Sequence, residues 1–105
     1  MTKEELEALV AAGESLDDEF LLGANLSGAN LSNARLRGTN LSSVNLSGAN
    51  LFDADLSNAD LSYANLTGAN LQAASLLGTD LTDAKLDNIN WDLVNTTGMI
   101  GYSPR

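Results

Sequence analysis

The chain has no cysteine and no histidine, and this absence removes large classes of function. Without cysteine there are no disulfides, zinc–thiolate sites or thiol nucleophiles. Without histidine, the commonest general base and the commonest metal ligand are missing, and nothing of this type can activate a serine. We therefore expect no catalytic residue, no metal site and no cofactor, and we expect that the protein is not an enzyme.

Aromatic residues and long apolar runs are also scarce. Aromatic residues make up 5% of the 105 residues, and the 44% apolar content is mostly leucine and alanine. No apolar run approaches the roughly 20 residues that span a bilayer. The acidic start, Met1 to Glu7, does not resemble a signal peptide. We expect one folded unit in the cytoplasm, with no membrane contact.

Positive charge is the third shortage. The chain has five lysines and arginines and fourteen acidic residues, which gives a net charge of −9. This acidic balance argues against direct nucleic-acid binding and permits a basic partner. The acidity is uneven, because residues 1–20 contain seven acidic residues and one lysine. Most of the charge is therefore expected at the N-terminal end.

What the sequence has in abundance is leucine at intervals of five. From Leu26 onward a small or modest-sized residue stands two positions before each leucine, and Asn or Asp usually stands between them. The positions in register are Leu21, Leu26, Leu31, Leu36, Leu41, Leu46, Leu51, Leu56, Leu61, Leu66, Leu71, Leu76, Leu81 and Leu86, followed by Trp91.

A period of five fits neither an α-helix nor a continuous strand. Within each unit the small residue and the leucine lie two apart, so both point to one side of an extended segment. The next two residues are often Ser-Gly, Ser-Asn or Thr-Gly, which favour turns. Each unit therefore predicts one short extended side and one corner, and stacked coils enclose an interior of alternating Leu and Ala.

The run from Leu21 to Asn95 resembles the A(D/N)LXX pentapeptide-repeat family. The resemblance implies an all-β solenoid, a right-handed quadrilateral parallel β-helix with about four coils of 20 residues. Folding the sequence at 20 residues stacks Leu26 on Leu46 and Leu66. It also places Thr39 and Thr79 on one inward row, where their hydroxyls are expected to bond to the backbone.

Solenoid ends need caps, and the two ends of this chain differ. Residues 1–20 are predicted to form a capping helix and lead-in, with a capping box that begins at Thr2. Glu19 occupies the first inward small-residue position, so the first coil is expected to be open there. Residues 21–95 form the repeat. Residues 96–105 are predicted to be a C-terminal cap or tail, or a homodimer interface, as C-terminal segments often are in the family.

Seven residues are candidates for contact with a partner. Asp60 and Asp80 are 20 apart and are expected to stack on one outer face, where solvation is the simpler interpretation. Phe52 and Tyr63 are outward aromatic residues that could form one small patch. Met99, Ile100 and Tyr102 lie in the apolar C-terminal segment.

Three hypotheses about function follow. The first is a non-enzymatic structural or protein-interaction module with an unidentified protein partner. The second rests on the resemblance alone: some family members are quinolone-resistance proteins that mimic duplex DNA and occupy DNA gyrase. This chain shares their acidity but is shorter, and its acids concentrate at the N-terminal end. The third is half of a longer β-helix assembled end to end.

Overall fold

The computed structural model describes residues 1–102 as one helix followed by a four-sided β-helix. Helix α1 spans Lys3–Ala11. After it, one residue in every five forms a parallel bridge to the residue 20 positions further on, from Ser15↔Arg35 to Asp80↔Ile100. Because each side contributes a single bridge residue, the pairing consists of isolated bridges instead of longer strands. The predicted quadrilateral β-helix is confirmed.

The bridge residues define the four sides, which we number in chain order. Side 1 contains Ser15, Arg35, Asp55, Ser75 and Asn95; side 2 contains Phe20, Asn40, Asp60, Asp80 and Ile100; side 3 contains Asn25, Asn45, Asn65 and Lys85; side 4 contains Asn30, Asn50, Asn70 and Asn90. The coil is longer than the leucine run at 21–95, because pairing begins at Ser15 and reaches Ile100.

A β-turn makes every corner. In the turn from Leu21 to Ala24, for example, the Ala24 amide donates to the Leu21 carbonyl at 3.1 Å, and Gly23 has a φ of 68°. A positive φ at the third turn position is the type II geometry, which glycine adopts without strain. Tyr63 and Leu93 adopt the same geometry, with φ values of 61°. These bulky residues are strained at their corners.

The interior contains the predicted stacks. The leucines from Leu26 to Leu76 and the alanines from Ala29 to Ala74 are almost fully buried. Thr39 Oγ1 donates to the Leu36 carbonyl at 2.8 Å, and Thr79 Oγ1 donates to the Leu56 carbonyl at 2.7 Å. The prediction that these hydroxyls bond to the backbone is therefore confirmed.

Helix α1 covers part of the first coil. Thr2 caps it through the predicted capping box with Glu5, and Leu6 is buried. In the regular coils Asn50 N donates to the coil before it, at Ala29 O. Asn30 has no preceding coil, and Glu7 Oε2 accepts from its amide instead, at 2.8 Å. The Glu7 side chain thus replaces the backbone partner that a further coil would supply to Asn30 on side 4.

Lys3 makes the complementary contact. In the regular coils, carbonyls such as Ser47 O accept from an amide of the preceding coil, here Gly28 N at 2.8 Å. The corresponding carbonyl of the first coil is Ser27 O, and it accepts from Lys3 Nζ at 3.3 Å.

In the part of the chain that the structure describes, no helix is long and apolar enough to cross a membrane.

Candidate interaction surfaces

The structure brings Asp60 and Asp80 together on side 2. The two residues form a parallel bridge, and each carboxylate accepts from the residue two positions later. Asp60 Oδ1 accepts from Ser62 Oγ at 2.6 Å, and Asp80 Oδ1 accepts from Thr82 Oγ1 at 2.6 Å. Each pair is therefore a local turn contact that explains the residue types without a ligand.

The stability of this corner is expected to depend on pH. The hydroxyl of Thr82, followed by its amide, donates to Asp80 and holds the pKa of that carboxyl below its ordinary value. The stabilisation is present above the pKa of Asp80 in the unfolded chain and is lost as pH falls through the lower folded value. We expect Thr82→Val to be less stable than wild type at pH 7 and equally stable at strongly acidic pH, by urea unfolding. A deficit that does not change with pH would exclude this origin.

Phe52 and Tyr63 do not form one patch. Phe52 lies at the corner between sides 4 and 1, and Tyr63 lies at the corner between sides 2 and 3. These corners are diagonally opposite on the β-helix. Each aromatic side chain is an isolated exposed residue, which is common on protein surfaces.

One ion pair lies beside side 1. Arg37 Nε lies 3.7 Å from Asp55 Oδ2 of the next coil. The Arg37 amide also donates to Asp17 Oδ1 at 2.9 Å. The ion pair is exposed, so it contributes little to stability.

The C-terminal end is an open apolar surface. After Leu81, the inward side chains of the last coil are only half-buried, although their equivalents one coil earlier are buried. Tyr102 folds across this end and stacks on Trp91, with ring centroids 5.3 Å apart. The half-buried inward residues that pack against the core here are Ala84, Leu86, Ile89, Trp91, Val94 and Met99.

Three of the predicted contact residues lie at this end, and one was missed. Met99 is half-buried, while Ile100 and Tyr102 are 55% and 39% exposed. Leu93, which the sequence analysis did not select, is 82% exposed. Its signal was its place at the turn position where most other units have Gly or Asn. Residues 103–105 of the predicted tail lie outside the described residues.

At the N-terminal end the outer edge of side 2 is exposed, although the inward Leu16 and Leu21 beside it are only 2% and 7% exposed. Phe20 stands at a bridge position that Asn or Asp occupies in most other units, and it is 69% exposed. Leu22 at the following corner is 52% exposed. Glu19 is exposed, as its charge predicted. In the sequence, Phe20 ends the predicted lead-in and Leu22 lies at the start of the predicted repeat.

Two shallow cavities lie along the seam between α1 and the first coil. Their volumes are about 460 and about 510 Å³, and Val10, Ala11, Asn30 and Ser32 line both. Within residues 1–102, no group of three or more acidic side chains is placed to hold a metal ion. The two ends of the solenoid are therefore the main candidate surfaces.

Comparison with known proteins gives one family. The model of the family described as pentapeptide repeats matches residues 21–58 and 49–88, with eight copies. Among curated proteins, none matches the chain.

Solved structures give the same likeness. A pentapeptide repeat protein (Rfr23) from the cyanobacterium Cyanothece 51142 is 36% identical, with a TM-score of 0.81 over 85% of this chain and 61% of that one. The present chain thus spans 61% of the length of that relative. The pentapeptide repeat protein alr5209 from Nostoc PCC 7120 is 30% identical, with a TM-score of 0.63 over 94% of both chains. QnrB1, a plasmid-mediated fluoroquinolone resistance protein, is 17% identical over 83% of this chain and 62% of that one, with a TM-score of 0.60, and shares the fold.

Proposed function

The chain belongs to the pentapeptide-repeat family, and from that premise we propose that it is a non-enzymatic protein-interaction module that binds through its C-terminal end. The observation that carries the proposal is the half-buried last coil. Through most of the solenoid each inward layer is covered by the next coil, but within residues 1–102 the last layer is covered only by Tyr102. A repeat array that ends without a polar cap exposes apolar surface, and such surface favours protein partners.

The partner we propose for this end is a second copy of the chain. The solenoid measures about 23 by 23 Å in cross-section. Two such ends in contact bury on the order of 1,000 Å² in total, which is the lower limit for a specific interface. A homodimer of modest affinity is therefore expected, and it joins two short solenoids into one longer β-helical rod.

Charge favours contact between two C-terminal ends over contact between opposite ends. The last coil and its extension, residues 81–102, carry three aspartates and one lysine, whereas residues 1–20 carry a net charge of −6. Stacking a C-terminal end on an N-terminal end also requires displacement of α1, with its bonds to Ser27 and Asn30. A closed dimer is therefore favoured over an open filament.

The alternative of an acidic DNA mimic has weaker support. Side 4 is a ladder of asparagines, and side 3 carries three asparagines and Lys85. At their bridge positions, two of the four sides therefore lack the carboxylates that would imitate a phosphate backbone. Because the likeness to QnrB1 shows the fold alone, we do not extend its role in resistance to this chain.

The dimer is tested by the double substitution Leu93→Asn and Ile100→Asn. Both side chains are exposed in the last coil, and Asn tolerates the positive φ of residue 93. We expect wild type to approach twice the chain mass as its concentration rises in light scattering, whereas the variant stays at the monomer mass.

Tyr63→Asn provides the matched control for this test. It relieves the same strain at an exposed corner distant from the C-terminal end, so it is expected to raise the free energy of unfolding by about 1 kcal/mol. Its mass should follow that of wild type. A wild-type chain that stays monomeric at millimolar concentration, or a double variant that dimerises as wild type does, would contradict the proposed dimer.

A further inference from the structure

The first coil has an unpaired backbone edge on side 2. Within residues 1–102, neither the amide nor the carbonyl of Phe20 hydrogen-bonds to another group, and the Leu22 carbonyl is also free. Free edge groups of this kind are templates for an additional strand. Exposed Phe20 and Leu22 stand beside them, so this edge offers both hydrogen bonds and apolar contact.

We propose that this edge binds an extended, basic segment of another protein, which adds one parallel strand before the first coil. This binding surface goes beyond the proposed dimer, because it lies at the opposite end of the solenoid. The recognition is β-strand addition, in which main-chain bonds supply part of the affinity and side chains supply the selectivity.

The regular coils show how such a segment aligns. Asn40 N donates to Glu19 O, and Leu21 N donates to Asn40 O. By the same pattern, Phe20 N donates to the segment residue before its bridge position, and Phe20 O accepts from the residue after it. The bridge residue itself points outward beside Phe20, while its two neighbours point inward. One lies under exposed Glu19, and the other, under Leu21, contacts the part of the chain that leaves Leu21 only 7% exposed.

Charge determines which kind of segment fits. Four exposed carboxylates surround this edge, from Glu14, Asp17, Asp18 and Glu19. A second copy is a poor occupant, because its own last coil is also acidic. The favoured sequence therefore has a cation under Glu19, a second cation near Asp18, an apolar residue beside Phe20 and another under Leu21.

The test uses a labelled, end-blocked hexapeptide, Lys-Ser-Arg-Val-Leu-Ser, whose binding to the full chain is followed by fluorescence anisotropy. We expect saturable binding at about 0.02 M NaCl that weakens at about 0.5 M NaCl, because exposed charges are screened. Methylating the leucine amide of the peptide removes the donor to Phe20 O. That change is expected to weaken binding about tenfold, as is Phe20→Asn in the protein.

Phe52→Asn is the matched control, because it replaces another exposed phenylalanine at a corner away from side 2. It should leave peptide affinity unchanged, and Glu19→Gln should reduce affinity a few-fold. The proposal is overturned if the peptide does not bind. It is also overturned if binding is insensitive to both the amide methyl group and Phe20→Asn, which would indicate charge attraction alone. Loss of self-association in Phe20→Asn would instead identify a second copy as the occupant and reject the basic segment.

Discussion

Leu66→Ala is expected to destabilise the folded chain by about 2–5 kcal/mol, a large part of the roughly 5–15 kcal/mol that holds a small domain folded. Leu66 is 0% exposed, and it is stacked between Leu46 and Leu86 of the adjoining coils. The substitution removes the apolar contacts and leaves a cavity that the rigid corners cannot close. Urea unfolding followed by circular dichroism gives the loss.

Leu86→Ala is the matched control on the same side. Leu86 is the next residue of the same stack, but it is only half-buried because no further coil covers it. We expect a clearly smaller loss, about 1 kcal/mol, when the protein is dilute enough to be monomeric. At concentrations where the dimer forms, the loss should increase. Equal losses for the two variants in dilute solution would show that the last coil is covered.

Ala59→Glu is expected to have the larger effect and to leave the chain unfolded or nearly so at pH 7. Ala59 is 1% exposed and lies on the inward row that also contains Glu19, Thr39 and Thr79. A carboxylate here has no cation beside it and no room, so both desolvation and overpacking oppose folding. The natural Glu19 is tolerated on this row because the first coil is open there.

Two controls separate charge from volume. Ala59→Gln has nearly the same volume without the charge, and Glu19→Ala should change stability little. Burial raises the pKa of the introduced carboxyl, so its charge penalty is present above the unfolded value of about 4.3 and disappears below it. The stability difference between Ala59→Glu and Ala59→Gln should therefore shrink as pH falls. A difference that stays constant with pH would assign the effect to volume alone.

Much of the fold could be predicted because the pentapeptide period is repeated so many times. The stacks, the inward row with its two threonines, the capping helix at Thr2 and the exposure of Glu19 all match the structure. The beginning of the coil was less evident, although Leu16 stands five residues before Leu21 and is 2% exposed.

The candidate surfaces were harder to predict. Phe52 and Tyr63 are close in sequence and were therefore predicted to form one patch. The 20-residue register places them at opposite corners. The 20-residue register does not predict the ion pair between Arg37 and Asp55, because this contact depends on the conformation of a long side chain at a corner. Phe20 and Leu93 became candidates only when their exposure and their places at the two ends were known.

By itself, the sequence determined the β-helix, its four sides and the composition of each side, because turn formation and inward placement are local properties that recur every five residues. Only the tertiary structure decided which backbone groups remain unpaired and which apolar layers remain open. These depend on what lies beside the first and last coils: Lys3 and Glu7 supply partners to Ser27 and Asn30, while the backbone of Phe20 is left unpaired. Whether an end of the solenoid is covered cannot be read from the repeat, because the residues that cover it are distant in sequence and do not follow the five-residue period.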